Sequence, residues 1–152
     1  MQINFKIVEG SFIEKFPILS DMFIEHWKEV AKNKELMKIS ADLEKYKAME
    51  QSGNLVSLFA IKDEKIIGYS INILSPHLHY KELITAYNDL LFLDRNYRKT
   101  SLGGELILKT EEVCKEKGAR LMLFHAKENT SLAKILPRKS YNTHEIIFSK
   151  EL

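Results

Sequence analysis

The stretch LFLDRNYRKTSLGGELI, residues 91–107, passes from an apolar run through a basic, hydroxyl- and glycine-rich turn into apolar residues at helical spacing. Read locally, it is a strand, a turn and the start of a helix. The first N–H groups of a helix lack internal partners and carry the positive end of its dipole, so such a turn is suited to hold an anion. Gly103 and Gly104 would let the anion approach the backbone, Arg98 and Lys99 add positive charge, and Thr100 or Ser101 offers a side-chain cap.

Working outward, LITAYNDLLFLD (residues 83–94) supplies the strand before the turn. Leu102, Leu106 and Val113 continue the helix after it, and Gly118 stops it. Upstream, NLVSLFAI and KIIGYSINIL flank the polar turn KDEK and read as a hairpin. Downstream, ARLMLFHA reads as a short apolar strand, NTSLAKIL as a short helix before Pro137, and YNTHEIIFSKEL as a last strand. At the other end, INFKIV predicts a strand over Ile3 to Val8. Leu19, Phe23, Trp27 and Val30 predict a helix with Pro17 in its first turn, and a second helix is expected from Asp42 to Gln51. The order strand, two helices, three strands, helix, strand, helix, strand indicates an α/β protein built around a mixed sheet.

The chain of 152 residues fits a single domain, residues 1–152, large enough for a core without disulfides or metal. Its 45% hydrophobic and 29% charged content is that of an ordinary globular protein, and a net charge of +2 argues against a dedicated nucleic-acid binder. The single Cys114 cannot form an internal disulfide. With no signal peptide in MQINFKIVEG and no apolar run long enough for a bilayer, a cytoplasmic protein without a membrane role is expected.

These residues together resemble the GNAT superfamily of acyl-CoA-dependent N-acetyltransferases over nearly the whole chain. The family's loop Arg/Gln-x-x-Gly-x-Gly/Ala corresponds to Arg98-Lys99-Thr100-Ser101-Leu102-Gly103, with Ser101 in place of the first glycine. IIGY at residues 66–69 resembles the family's third strand, and Asn129 followed by Lys139-Ser140-Tyr141 resembles a later element. HYKEL, YNDLLFLD and LFHAK give a more particular likeness to short GNAT proteins of bacteriophages. The resemblance implies a mostly antiparallel central sheet of six to seven strands with helices on both faces. It also implies acetyl-CoA as acetyl donor, no metal, a small-molecule or peptide amine as acceptor, and allows a homodimer.

On this resemblance the anion is the pyrophosphate of acetyl-CoA, held by Arg98, Lys99, Thr100, Ser101, Leu102, Gly103 and Gly104, with Asn129 nearby. Leu91 and Leu93 would pair their backbone groups with the amide-bearing arm of the coenzyme. The reaction is attack of a neutral amine on a thioester carbonyl and requires a base, oxyanion stabilisation and a proton for the leaving thiolate. Asp89 stands where the family often carries a Glu that acts as base through water, and a carboxylate within DLLFL is costly to bury without a role or a partner. His125 ends LMLF on the next strand, and imidazole exchanges protons near neutral pH, although a His at a strand end is also an ordinary edge residue.

The family's frequent acid, a Tyr seven residues after the Asn, is Leu136 here, which leaves Tyr141 as the candidate acid and keeps a non-catalytic binding module as the alternative reading. Pro137 should shorten or kink the helix at that point. His79 and Tyr80, with Asn88, are the expected acceptor-binding residues. His77 and His79 have the spacing of a metal pair, but no carboxylate or Cys motif completes a ligand set. Cys114, beside Val113 on the apolar helix stripe, reads as core.

Overall fold

A computed structural model of the chain describes residues 4–152. Its sheet has the strands β1 (Lys6–Glu9), β2 (Leu55–Lys62), β3 (Lys65–Pro76), β4 (Ile84–Leu93) and β5 (Leu121–Phe124), in that spatial order. The first four are antiparallel neighbours and β5 runs parallel to β4. The helices are α1 (Phe12–Val30), α2 (Leu43–Gln51), α3 (Leu102–Glu116) and α4 (Ser131–Ile135), with short 3₁₀ turns at Arg95–Tyr97 and Leu136–Lys139.

Alternation along the strands sends successive side chains to two different helical layers. Val56, Leu58, Leu74 and Ala86 pack beneath Leu106, Val113 and Cys114 of α3. Leu55, Phe59, Tyr69, Ile71 and Phe92 face Phe12 and Leu19 of α1, with Tyr46 and Met49 of α2 beside them. The expected helices on both faces are therefore present, and Cys114 is core. The β2–β3 hairpin turns on Asp63 and Glu64, both in the left-handed region at φ 49° and 64°, as a two-residue turn of this hand requires.

The described residues form five strands, not the six to seven expected. The missing one is YNTHEIIFSKEL: residues 141–152 pair with no strand, and Ile146, Ile147 and Phe148 are exposed. Alternating apolar residues make a strand only where an edge lies in plane with them. Here Tyr141 begins the segment by donating to Glu111 of α3 and setting its ring against Phe124, beside the sheet rather than along it. The first strand runs over Lys6–Glu9, later than expected, and Ile3 lies outside the described residues.

Helix α1 also starts earlier than Pro17 suggested. Ser11 accepts from Glu14 N, and the carboxylate of Glu50 accepts from Phe12 N at 2.9 Å and Ile13 N at 3.4 Å. A side chain from α2 thus satisfies the N-terminus of α1, and Pro17 sits inside the helix. Pro137 acts as expected: α4 is five residues long and gives way to a 3₁₀ turn that contains the proline. Among the described residues no helix is long and apolar enough to cross a membrane.

Two features of β4 place the site. Asn72 of β3 pairs with Asn88 while Ile71 pairs with Leu90, so Asp89 is an extra, unpaired residue: a β-bulge. And β5 pairs with β4 only from Thr85 to Asn88, so from Asp89 onward β4 has lost its neighbour on that side.

Candidate functional site

The part of β4 beyond Asn88 has an open backbone edge. Asp94 N donates to Ile67 O beside the Gly68/Leu93 pair, which marks that pair as the kind without mutual hydrogen bonds. By alternation Leu93 and Leu91 turn their N–H and C=O groups away from β3, toward the space that β5 has vacated. Leu91 N–H and C=O and Leu93 N–H therefore stand open on this edge, Leu93 O being taken by Arg98, while the two side chains pack inward.

This edge leads into the turn. Arg98 N and Thr100 N close on Arg95 O and Tyr97 O, and Glu105 N bonds to Ser101 O. Leu102 N donates to Thr100 Oγ1, so the side-chain cap comes from Thr100, while the Ser101 hydroxyl donates to Glu105. Among the described residues the N–H groups of Gly103 and Gly104 have no acceptor. A Cβ on Gly103 would meet only Leu93 Cδ2, at 3.8 Å, so space lies before it. A Cβ on Gly104 would come within 3.1 Å of Lys139 Nζ, which places an ammonium group at the positive end of α3. Two like charges held together in this way suit a dianionic group such as a pyrophosphate.

Nothing in the local sequence KSY signals Lys139 as part of this site; the fold alone brings it to Gly104. Arg98 shows the reverse. Its Nε donates to Leu93 O at 2.7 Å, its Nη2 lies 2.9 Å from Glu29, and its guanidinium lies over Phe92. The Arg98 charge is turned to α1 and shared with Glu29, which also holds Arg95 at 2.8 Å. Burial pushes the Glu29 carboxyl up, but the hydrogen bonds from Arg95 and Arg98 outweigh it and hold it below the ordinary range. Lys99 is exposed, and so is Asn129, in a left-handed conformation at φ 62° ahead of the Thr130 cap of α4.

On the face of β4 toward α1 and α2, Tyr87 and Asp89 project two residues apart. Tyr46 of α2 donates its hydroxyl to Asp89. Tyr87 packs against His125 with ring centroids 4.1 Å apart and planes tilted by 46°, which brings His125 to the same face. Burial, then the charges of Asp89 and Glu145, push the Tyr87 phenol up; burial and then Asp89 push Tyr46 up further. Both hydroxyls stay protonated, and that of Tyr46 donates to the carboxylate. Tyr87 could have been read from its spacing to Asp89, whereas Tyr46 is 43 residues away in sequence and is brought in only by the packing of α2.

The structure does not bring the other candidates here. Tyr141 is on the α3 side, its hydroxyl given to Glu111 at 2.8 Å and its pKa raised by burial and then by that carboxylate. Asn88 points to the α3 side and is 3% exposed. His79 and Tyr80 are exposed in the loop before Ile84, at the opposite end of β4 from the turn, roughly 17 Å along the strand from Asp89 at about 3.4 Å per residue. Leu136 is buried. Cys114 is buried too, its thiol pushed up to about 11 mainly by that burial. Among the described residues no group of three His, Cys, Asp or Glu side chains could hold a metal ion.

Solved structures share this architecture. An aminoglycoside acetyltransferase from an uncultured soil metagenomic sample, seen with trehalose, is 22% identical, with 97% of this chain and 96% of that one covered and a TM-score of 0.74. A transcriptional regulator from Bacillus halodurans C-125 is 15% identical over 98% of this chain and all of the other, TM-score 0.75. A ribosomal-protein-alanine N-acetyltransferase from Brucella melitensis biovar Abortus 2308 is 12% identical over 96% and 100%, TM-score 0.66. At such identities they show the fold alone. No curated protein sequence matches this chain. The family model of the GNAT acetyltransferases matches residues 18–136, from within α1 through β5 to the end of α4, and so takes in the bulged strand, its open edge and the glycine turn. The chain belongs to the GNAT family of acetyltransferases.

Proposed function

We propose that the protein is an acetyl-CoA-dependent N-acetyltransferase that acts on an amine by direct attack, without a covalent enzyme intermediate. The observation that carries this is the position of Asp89. It is the first residue of β4 without a β5 neighbour, so one strand segment offers a carboxylate on its helical face and a free backbone edge beside it. Bound there, the coenzyme supplies a thioester carbonyl as electrophile. Leu91 and Leu93 hold its amide-bearing arm along the edge, and the Gly103 and Gly104 N–H groups with Lys139 hold its phosphates. Asp89 takes a proton from the acceptor ammonium, directly or through water, while Tyr46 fixes the carboxylate and His125 stands beside Tyr87 as a second proton acceptor.

The second reading, a binding module on the same fold, is favoured by one observation. The hydroxyl expected for the leaving thiolate is absent at Leu136, and that of Tyr141 is committed to Glu111. Titration with acetyl-CoA, followed by thiol release over a panel of small amines, polyamines, aminoglycosides, peptide N-termini and protein lysines, separates the two. Amine-stimulated thiol release supports the enzyme; tight acetyl-CoA binding with no release for any amine supports the module. The aminoglycosides join the panel because of the fold likeness to an aminoglycoside acetyltransferase.

A further inference from the structure

Beneath α3, on the side of the sheet away from Asp89, lies a buried polar cluster. Thr110 Oγ1 is 2.8 Å from both Leu106 O and Ser70 Oγ. With the single Thr110 proton on the Leu106 carbonyl, the Ser70 hydroxyl donates to Thr110 and turns its lone pairs to the sheet. There it accepts from Asn72 Nδ2 at 3.1 Å and Asn88 Nδ2 at 3.2 Å. Asn72 also donates to Val56 O at 3.2 Å; Asn88 gives one amide proton to Asn72 Oδ1 at 2.8 Å and shares the other between Ser70 Oγ and Leu90 O, the latter at 3.3 Å. Ser70, Asn72 and Thr110 are fully buried and Asn88 nearly so.

The cluster coincides with the bulge. Asn72 and Asn88 are the last pair in register before the shift, and the bond from Asn88 to Leu90 O spans the extra residue, Asp89. The shift reverses the phase of β4. Before it, even-numbered Ala86 and Asn88 face α3; after it, odd-numbered Leu91 does, and Leu90 and Phe92 join Asp89 on the other side. An apolar strand has little in its sequence to say where that reversal falls, since Leu90, Leu91, Phe92 and Leu93 would each accept either face. Asn88 is different: moved to another register, its amide would be buried without acceptors.

We propose that Asn72, Asn88, Ser70 and Thr110 are positioning residues for acetyl transfer: their hydrogen bonds across the sheet fix the β4 bulge, and with it the aim of Asp89 toward the acceptor. The role of Asp89 rests on the function proposed above; the positioning itself does not.

Asn88→Leu, the double variant Asn72→Leu/Asn88→Leu, and the milder pair Thr110→Val and Thr110→Ser are compared with the parent protein in two ways. Cross-strand NOEs report the register, and acetyl-CoA affinity and turnover report function. The expected result is that the folded Asn variants lose the Ile71/Leu90 contact or the Tyr46/Asp89 contact, and that Thr110→Val speeds amide exchange of Asp89 and Leu90 by at least ~10-fold while Thr110→Ser does not. In an active protein kcat falls at least ~10-fold; acetyl-CoA affinity holds in a variant that keeps the Ile71/Leu90 pair and loses only the Tyr46/Asp89 contact, and falls as well in one that shifts register, because Leu91 and Leu93 then turn with the strand. Folded Asn variants with the parent register and the Tyr46/Asp89 contact intact overturn the proposal. Should the Asn variants not fold, parent-like exchange in Thr110→Val overturns it. A changed register in a protein that acetylates no amine supports the positioning and removes the catalytic role.

Discussion

The Tyr46 hydroxyl on α2 donates to the carboxylate of Asp89 at the bulge of β4, joining a helix of the α1/α2 layer to the one unpaired residue of the strand. Tyr46 also packs its ring 4.6 Å from Phe12, so the phenol is braced by the core and cannot swing away freely. Asp89→Asn keeps the shape but removes the charge, and kcat should fall by roughly 100-fold or more while acetyl-CoA affinity holds. Tyr46→Phe removes one hydrogen bond to a charged acceptor, of the order of 2 kcal/mol, and should lower kcat about 10-fold. Steady-state kinetics with any competent amine reads both. A loss of stability with an unchanged rate per folded molecule would make Asp89 structural.

At the glycine turn, Gly103→Asp puts a carboxylate in open space in front of bare N–H groups. The fold should survive, and acetyl-CoA affinity should fall at least ~100-fold, given repulsion of about 4 kcal/mol between unit charges at 4 Å near a protein surface. Calorimetric titration of the folded variant measures it, and equal affinity would move the coenzyme elsewhere.

Lys139→Gln at the same turn should weaken acetyl-CoA by about 5- to 10-fold and flatten the salt dependence of binding, since it removes the ammonium group beside Gly104 where the phosphates are proposed to bind. Titrations at low and high salt give both quantities. An unchanged salt slope would leave Lys139 as an ordinary surface residue.

Arg98→Gln should behave differently from a lost phosphate ligand. Arg98 holds Leu93 O and Glu29, and removing it leaves a strand-end carbonyl unpaired and Glu29 with Arg95 alone. Stability should drop by about 1–2 kcal/mol, with a smaller effect on coenzyme affinity than Lys139→Gln. Denaturant unfolding beside calorimetric titration distinguishes the two; a large affinity loss at constant stability would return Arg98 to the phosphate site.

His26 predicts the acid limb of stability. It sits between Tyr69, whose hydroxyl is 2.8 Å from Nδ1, and Phe92, and burial foremost lowers its pKa to about 4, against the opposing charge of Glu29. The unfolded imidazole titrates near 6.5, so between about 6.5 and about 4 the unfolded chain binds the extra proton, and stability falls as pH falls through that window. Below it the loss levels off at roughly 3–3.5 kcal/mol, from about 1.4 kcal/mol per pH unit over that window. Glu29, held low by its arginines, adds a loss only below the ordinary carboxylate range. Thermal unfolding at pH 7 and 4.5 should show a smaller drop for His26→Phe than for the parent; equal drops would place the acid sensitivity elsewhere.

The sequence by itself determined the local pieces. Strand, turn and helix around residues 91–107, the β2–β3 hairpin, the stripe that buries Cys114 and the short helix before Pro137 all follow from periods of two or three to four residues and from turn chemistry. Charge in an apolar strand and glycine at a helix start are visible without partners, so Asp89 and the glycines stood out; it was the family resemblance that joined them with Leu91, Leu93 and His125 into one proposed site. Tertiary structure decided which groups those residues meet. Arg98, read as a phosphate ligand, turns to Glu29, 69 residues away, while Lys139 reaches Gly104 from the far end of the chain. Tyr46 reaches Asp89 only through the packing of α2. The C-terminal segment keeps a strand pattern without becoming one, since a pattern supplies a face but not an edge in plane with it. The bulge belongs to both levels: Asn72 and Asn88 are plain in the sequence, but that they oppose each other, and so leave Asp89 without a partner, is a fact of register, set by contacts between strands and not within one.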